Sequence, residues 1–171
     1  AIDSEALEIG AVNTIKIKNS KLTGYNTDHY GFKNSLKPHL KPHHKKALIL
    51  GTGGASKAVA FALKSLGIQF DYVSRSQSKT VTYTYESLAI NGIEDYQIII
   101  NCTPLGTFPD IDTCPAIPYE SITSNHLLFD LIYNPAETLF LKNGKSKNAT
   151  IINGLEMLQL QAEKSWEIWN S

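Results

Sequence analysis

The sequence has few of the features that mark secreted, membrane or nucleic-acid-binding proteins. Its 171 residues include only two cysteines, Cys102 and Cys114, which offer neither a disulfide framework nor a C-x-x-C metal pair. Lys plus Arg equal Asp plus Glu at 16 each, so no overall field attracts a nucleic acid or an anionic membrane. No apolar run approaches the ~20 residues of a membrane span, and no basic-apolar leader is visible. These absences predict a cytoplasmic globular protein without nucleic-acid or membrane partners.

The chain also lacks an initiator methionine. Residues 3–9 (DSEALEI) read like the middle of a helix rather than the start of a protein. We therefore expect the sequence to be a piece of a longer chain.

The most informative segment is a short apolar strand that runs into a glycine turn. Residues 47–50 (ALIL) form the strand, and residues 51–60 (GTGGASKAVA) lead into a helix of small residues. Such a turn leaves backbone N–H groups free at a helix N-terminus, where the helix dipole favours a pyrophosphate. Gly51 allows the tight turn and Gly53 allows close approach of the ligand, whereas Ser56 replaces the third glycine of G-x-G-x-x-G. The segment predicts a dinucleotide site, with a glycine turn of another α/β protein as the alternative.

Strands and helices alternate from residue 47 onward. We predict strands at 47–50, 70–74, 96–100, 127–131 and 149–152, and helices at 54–66, 84–90, 135–143 and 154–169. The strands are apolar without alternation, which is typical of a parallel sheet covered on both faces. Residues 12–17 and 21–26 read as a hairpin, and a helix capped by Thr27 or Asp28 ends near Pro38. The predicted fold class is α/β, a Rossmann-type doubly wound parallel sheet.

The end of the second strand of this sheet bears on the choice of cofactor. Recognition of NAD usually places an Asp or Glu there, on the ribose 2′-OH. Residues 74–79 (SRSQSK) contain no acid. Arg75 offers a planar fork to a 2′-phosphate, Lys79 adds a second positive charge, and the hydroxyls of Ser74 and Ser76 can donate to the same oxygens. The segment predicts NADP, with a solvated basic loop as the alternative.

Three histidines, His39, His43 and His44, lie in the connector before the first strand of the sheet. Pro42 interrupts a helix between them, and no carboxylate or thiol is adjacent. We interpret the segment as a solvated linker and predict no metal site.

Six separate short motifs of the sequence match one family and occur in the same order as in that family. They are residues 10–14 (GAVNT), 24–31 (GYNTDHYG), 51–55 (GTGGA), 101–106 (NCTPLG), 130–135 (DLIYNP) and 153–162 (NGLEMLQLQA). Because of these motifs, the chain resembles the shikimate dehydrogenases over nearly its whole length. The resemblance implies the NADP-dependent interconversion of 3-dehydroshikimate and shikimate in aromatic amino-acid biosynthesis.

The resemblance also implies roles for individual residues. Asn13 and Asp28 would bind the substrate, Gln161 would reach the same hydroxyls from the last helix, and Tyr133 would lie near substrate and nicotinamide. Asp28 would also be the catalytic aspartate, which acts with a lysine at the reacting oxygen. Without the resemblance, Asp28 reads as a helix cap. The cofactor set, including the glycine turn, would be Gly51, Gly53, Gly54, Ala55, Ser74, Arg75, Ser76, Lys79, Thr103, Leu131 and Gly154.

One departure from the family pattern limits the expected activity. In the family, the catalytic lysine and the serine pair that holds the substrate carboxylate lie upstream of the GAVNT motif. The nine residues before this motif contain no Lys or Arg, and Lys16, Lys18 and Lys21 do not match the lysine motif of the family. We therefore expect a fragment that lacks most of the N-terminal substrate domain, binds NADP(H) and turns over shikimate very poorly.

The predicted division of the chain follows from the same resemblance. Residues 1–27 would be a hairpin remnant of the substrate domain, 28–46 a connecting helix and linker, 47–152 the NADP-binding domain and 153–171 the helix that returns to the substrate domain. An exposed remnant would favour self-association. Two alternatives stay open: a quinate or broader-specificity relative, and a non-catalytic NADP-binding regulatory module. Such a module would have no need of Asn13, Asp28 and Gln161.

Overall fold

A two-stranded hairpin and a six-stranded sheet organise the chain in the computed structural model, which describes residues 1–171. The helices are α1 (Ser4–Ile9), α2 (Asp28–Leu36), α3 (Gly54–Ser65), α4 (Tyr85–Asn91), α5 (Leu139–Ser146) and α6 (Leu155–Asn170). The strands are β1 (Thr14–Lys18), β2 (Lys21–Tyr25), β3 (Lys46–Leu50), β4 (Gln69–Ser74), β5 (Tyr83–Thr84), β6 (Ile98–Asn101), β7 (Leu127–Asp130) and β8 (Thr150–Ile152). Short 3-10 turns occupy Lys37–His39 and Tyr119–Ser121.

The large sheet is parallel throughout, in the order β5-β4-β3-β6-β7-β8. The chain leaves β3 toward one edge and returns to pair β6 on the other side of β3. In open sheets of this kind, ligands bind outside the carboxyl ends of the strands where the order reverses. The predicted fold class, a Rossmann-type α/β fold, is confirmed.

The core lies on both faces of this sheet. Ala47 and Ile49 of β3 belong to the cluster beneath α2, α3 and α6, whereas Leu48 and Leu50 belong to the cluster beneath α4 and α5. Successive side chains of a strand point to opposite faces, so one apolar strand supplies both clusters. Each fully buried aliphatic side chain contributes about 1.5–3 kcal/mol of transfer free energy. The sheet is therefore a rigid base for the loops at its carboxyl edge.

The hairpin β1–β2 joins this base through the helix pair α2 and α6. Gly31 of α2 lies so close to α6 that a Cβ there would be 2.5 Å from the carbonyl oxygen of Met157. The hydroxyls of Thr14 and Ser165 are 2.8 Å apart, and the Trp169 indole N–H donates to the Ile15 carbonyl at 3.0 Å. The last helix thus holds the hairpin by close backbone packing and a few polar bonds.

The structure corrects several predicted boundaries. The predicted helix at 135–143 is wrong at its start: α5 begins at Leu139, where the Thr138 hydroxyl accepts a hydrogen bond from the Leu141 N–H. Strand β6 begins at Ile98 rather than at 96, β7 ends at Asp130 rather than at 131, and the two-residue β5 had no counterpart in the predictions. Segment 3–9 was expected to be the middle of a helix. Instead, α1 begins at Ser4, with the Asp3 carboxylate accepting from the Glu5 N–H.

Candidate functional site

The glycine turn after β3 has the geometry that the sequence predicts. Gly51 has φ +102°, and a Cβ there would lie 3.2 Å from the Thr103 side chain, so glycine is required for both conformation and space. Gly53 precedes α3, and a Cβ there would meet no protein atom within 4 Å. No protein group accepts from the N–H of Gly54 or Ala55 at the start of α3. The turn therefore presents free backbone donors to an open space.

Ser56 occupies the position of the missing third glycine. Its side chain is buried, and its hydroxyl donates to the Gly53 carbonyl at 2.6 Å. The Tyr72 hydroxyl donates to the Ser56 carbonyl at 3.4 Å, which ties the helix to β4. A small side chain that bonds back to its own turn is accommodated here, so the imperfect sequence pattern does not disturb the turn.

A cleft of about 340 Å³ opens in front of this turn. The turn, the end of β4, the start of α4 and the loop after β6 contribute its lining: Gly51, Thr52, Gly53, Ser74, Arg75, Tyr85, Cys102, Thr103, Pro104 and Leu105. No carboxylate is among these residues. We refer to it as the turn cleft.

Arg75 supplies the only formal positive charge in the lining of the turn cleft. Its side chain is exposed and forms no ion pair. The nearest acid in sequence on β4, Asp71, is held in the sheet by the Tyr96 hydroxyl at 2.6 Å and the Lys46 ammonium at 3.1 Å. Ser76 and Lys79 are exposed and do not line the turn cleft, so their assignment to a cofactor stays a prediction.

A second cleft, of about 400 Å³, lies on the other side of the start of α3. Its lining consists of Asn13, Asp28, Ala55, Leu131, Tyr133, Gly154, Met157, Leu158 and Gln161. All four predicted substrate residues and three predicted cofactor residues are in this set. We call it the polar cleft, and Ala55 at the start of α3 connects it to the glycine turn.

Asn13 organises the polar cleft. Its amide nitrogen donates to Asp28 Oδ1 at 2.7 Å, and its amide oxygen accepts from the Thr27 N–H at 2.9 Å. The Gln161 amide oxygen accepts from the Thr27 hydroxyl at 3.2 Å. Residues from the hairpin, from α2 and from α6 are thus connected by one set of hydrogen bonds.

Asp28 is therefore not a helix cap. It is the first residue of α2, and the preceding Thr27 makes no capping bond either, because its hydroxyl is turned toward Gln161 and Ser165. Burial raises the pKa of Asp28, opposed by the hydrogen bond from Asn13 and by the charge of His29. A partly desolvated carboxylate with one fixed donor suits recognition of a ligand hydroxyl.

Sequence reasoning did not single out Asn101 and Asp130, the last residues of β6 and β7. Their hydrogen bonds connect the loops that contribute to the two clefts. The Asn101 amide donates to Asp130 Oδ1 at 3.1 Å, and its oxygen accepts from the Thr103 hydroxyl at 2.7 Å. Asp130 also accepts from the Thr138 hydroxyl at 2.6 Å and from the Ile132 N–H at 3.1 Å. The available signal was a polar residue at the carboxyl end of each of two apolar strands, IIIN and LLFD.

Gly154 sets the far wall of the polar cleft. A Cβ at this residue would overlap the carbonyl oxygen of Leu131, although the backbone angle is one that any residue adopts. Its N–H donates to the Ile132 carbonyl at 3.0 Å. The requirement for glycine comes from close approach of the two loops, which brings α6 onto the end of β7.

Residues 1–171 contain neither a cluster of metal ligands nor a helix that could span a membrane. No three His, Cys, Asp or Glu side chains are grouped so that they could hold a metal ion. Of the connector histidines, His44 accepts from the Lys41 N–H at 3.0 Å and His43 contacts the Asn125 carbonyl at 3.1 Å. No helix is both long and apolar enough to cross a membrane.

Comparison with known proteins shows which enzymes the chain is similar to. No family model matches the chain. A curated protein of Methanococcus maripaludis named shikimate dehydrogenase (NADP(+)) is 42% identical over 183 residues, which cover 98% of this chain and 65% of that protein. The chain is therefore similar to the shikimate dehydrogenases over nearly its whole length. It corresponds to the C-terminal part of these enzymes and spans about 65% of their length.

Solved structures agree with this relationship. The shikimate 5-dehydrogenase of Thermus thermophilus, in complex with NADP(H) and shikimate, matches with a TM-score of 0.83 and 33% identity over 98% of this chain and 65% of that one. A 5-ketofructose reductase of a Gluconobacter species matches with a TM-score of 0.80 and 35% identity over 98% and 66%. This chain is thus also similar to a reductase named for a different substrate.

Proposed function

We propose that this chain is the NADP(H)-binding portion of an oxidoreductase that interconverts 3-dehydroshikimate and shikimate in aromatic amino-acid biosynthesis. The observation that carries the proposal is the pairing of two adjoining clefts. One combines the glycine turn with Arg75 and no carboxylate, and the other unites Asn13, Asp28 and Gln161. The names of the relatives supply the substrate and the cofactor.

The residues of the turn cleft fit a dinucleotide phosphate. The N–H groups of Gly54 and Ala55 would bind the pyrophosphate, since Gly51 and Gly53 leave no side chain in its way. Arg75, with Ser74, Ser76 and Lys79, would hold the 2′-phosphate. Thr103, Leu131 and Gly154 would lie along the cofactor toward the nicotinamide. When bound, the cofactor supplies or accepts the hydride.

The residues of the polar cleft fit a polyhydroxylated substrate. Amide and carboxylate groups of Asn13, Asp28 and Gln161 can donate to and accept from hydroxyls, and Tyr133, half exposed at 50%, can cover them. Asp28 is the proposed catalytic residue of this chain. It would hold the reacting group of the substrate. The domain division given above is part of the same proposal.

Charge reversal at Arg75 tests the choice of cofactor. Arg75→Glu should weaken NADPH binding by about 2 kcal/mol, which corresponds to one charge-assisted contact or more, and leave NADH binding much less affected. The matched control is Lys142→Glu, which makes the same charge change on an exposed residue that lines neither cleft. Equal NADPH affinity of Arg75→Glu and wild type in a fluorescence titration would reduce Arg75 to a surface residue.

Steady-state reduction of NADP⁺ tests the activity of this chain. We expect very slow turnover of shikimate, because the chain offers Asp28 without the lysine motif. Parallel assays on a full-length relative carrying these 171 residues address the alternative substrates, by NADP⁺ reduction with quinate and by NADPH oxidation with 5-ketofructose. Shikimate turnover by this chain at rates of an intact enzyme contradicts the expectation. A regulatory module would bind NADPH and ignore shikimate even in the full-length protein.

A cytoplasmic location and self-association complete the proposal. Both cysteines are free thiols, as in a reducing compartment. On the hairpin, Ile17 and Leu22 are paired across the strands and exposed by 72% and 58%. We expect this surface to drive self-association of the chain. Sedimentation velocity should show concentration-dependent association for wild type and a monomer for Ile17→Lys; identical profiles would exclude the hairpin as the contact.

A further inference from the structure

Tyr85 is a residue of the turn cleft that neither the glycine motif nor the basic segment accounts for. It follows β5, which pairs with β4 so that Thr84 lies opposite Ser74. Tyr85 therefore stands beside Arg75 at the carboxyl edge of the sheet, and both line the turn cleft. Its ring packs against the core cluster beneath α4 and α5. The aromatic ring is therefore held in place by packing.

The hydroxyl of Tyr85 is buried and has no hydrogen-bond partner in the protein. Three other buried or half-buried tyrosines do have one. The Tyr72 hydroxyl donates to the Ser56 carbonyl, the Tyr96 hydroxyl to Asp71 at 2.6 Å, and the Tyr119 hydroxyl to the Pro115 carbonyl at 2.8 Å. A buried polar group without a partner lowers stability, and native structures rarely keep one without reason. Tyr85 is an exception to this rule, and a bound ligand would supply the missing hydrogen-bond partner.

Position separates Tyr85 from the other buried polar atom without a partner, Nε2 of His126. His126 precedes β7 and so lies at the amino edge of the sheet, away from both clefts. Tyr85 is at the carboxyl edge, where ligands of this fold bind. Burial raises the pKa of Tyr85 to about 12, so its hydroxyl keeps its proton and can donate at neutral pH.

We propose that the Tyr85 hydroxyl binds the adenosine part of the nucleotide, an inference that rests on the proposed NADP(H) site. The glycine turn provides for the pyrophosphate and Arg75 for the 2′-phosphate. Tyr85 is beside Arg75 at the carboxyl edge of the sheet, and Pro104 and Leu105 line the same cleft. The purine and ribose offer both hydrogen-bond acceptors and an apolar face. A tyrosine in a cleft that also contains two apolar side chains suits that combination.

The substitution Tyr85→Phe tests this role because it removes the hydroxyl and keeps the ring. We expect the variant to bind NADPH about five- to tenfold more weakly than wild type, the value of one hydrogen bond. NADH binding should fall by the same factor, since the two nucleotides share the adenosine. In the absence of nucleotide, the unfolding midpoint in urea should be unchanged or higher, because a buried hydroxyl without a partner has been removed.

The matched control is Tyr119→Phe, whose hydroxyl has a protein partner and lines neither cleft. It should lower the unfolding midpoint and leave both nucleotide affinities unchanged. The inference is overturned if Tyr85→Phe behaves like this control, or binds both nucleotides as wild type does. If Arg75→Glu weakens NADPH binding while Tyr85→Phe does not, the NADP(H) site stands and only Tyr85 is excluded. A wild-type chain that binds neither nucleotide overturns the site and the inference together.

Discussion

The parallel sheet and the hairpin carry the two halves of the candidate site, but they are held in different ways. Every residue of β6 and β7 is buried, and the core clusters cover both faces of the sheet. On the hairpin, by contrast, Ile15, Ile17 and Leu22 are exposed. The turn cleft therefore rests on backbone geometry above a packed core. The polar cleft rests on side-chain hydrogen bonds between the hairpin, α2 and α6.

This difference predicts which substitutions should affect the turn cleft and which should affect the polar cleft. Removing a side chain of the Asn13 network should loosen the polar cleft and spare nucleotide binding. Filling Gly53 of the turn should affect nucleotide binding and spare stability. Residues at the junction, where the loop after β7 meets the start of α6, should affect both. Four substitutions probe this scheme, in order of decreasing effect.

Gly154→Ala should have the largest effect, because its Cβ would overlap the Leu131 carbonyl. Neither atom can move without shifting a backbone. We expect a loss of about 3 kcal/mol in the free energy of unfolding, at the upper end of the cost of overpacking. Urea unfolding monitored by circular dichroism measures it. A loss below about 1 kcal/mol would mean that α6 and the loop after β7 separate easily.

Asp130 should make stability depend on pH. Burial raises its pKa in the folded protein to about 6 from an ordinary value of 3.8, against the hydrogen bonds from Thr138, Ile132 and Asn101. Between these values the folded chain holds a proton that the unfolded chain has released, so stability falls as the pH rises from about 4 to about 6. Relative to Asp130→Asn, the wild type should lose up to about 3 kcal/mol over this window.

The measurement is the free energy of unfolding of both proteins at pH values from about 4 to about 7, spanning the window set by the two pKa values, with the buffers matched in ionic strength. The difference between wild type and Asp130→Asn is the quantity of interest, since other titrating groups are common to both. A constant difference across the series would show that Asp130 is ionised in the folded state throughout. A wild type that gains stability over Asp130→Asn as the pH rises would exclude the desolvation argument.

Asn13→Ala should have an intermediate effect confined to the hairpin side. It removes the bonds to Asp28 and to the Thr27 N–H, so we expect a loss of about 2 kcal/mol in stability. NADPH affinity should stay close to that of wild type. The control Asn170→Ala removes one exposed bond, to the Trp166 carbonyl, and should have little effect. A large loss of NADPH affinity in Asn13→Ala would show that the two halves are not separable.

Gly53→Ala should have the smallest effect on stability. Its Cβ would meet no protein atom within 4 Å, and its φ of −75° suits alanine. We expect a change of at most about 0.5 kcal/mol in unfolding, as for an ordinary surface substitution. NADPH binding should nevertheless weaken, because the methyl group enters the space proposed for the pyrophosphate. Unchanged affinity by fluorescence titration would move the nucleotide away from this turn.

The sequence alone predicts the parts of the molecule whose causes are local. A strand, a glycine turn and a small-residue helix are adjacent in the chain, so β3, Gly51 and α3 could be predicted together. The start of α5 could not be predicted, because Thr138 caps that helix while it also donates to Asp130 on β7. Gly31 and Gly154 have ordinary backbone angles, and only close approach of other elements shows why they are glycines.

The polar cleft marks the same limit. Asn13, Asp28 and Gln161 were predicted as substrate residues from a resemblance, while local reasoning made Asp28 a cap. Their hydrogen bonds join residues up to 134 positions apart, between Thr27 and Gln161, which no local pattern contains. Asn101, Asp130 and Tyr85 are single polar residues at the ends of apolar or short segments. Their partners, or the lack of one, become visible only when the strands are placed side by side.

The most direct test of the account is the relative affinity of this 171-residue chain for NADPH and NADH, measured by fluorescence titration at constant ionic strength. The account predicts saturable binding of both, with NADPH about thirtyfold tighter, the value of a charge-assisted contact of about 2 kcal/mol to the 2′-phosphate. Equal affinities, or no saturable binding of NADPH, would contradict the claim that the glycine turn and Arg75 form one NADP(H) site.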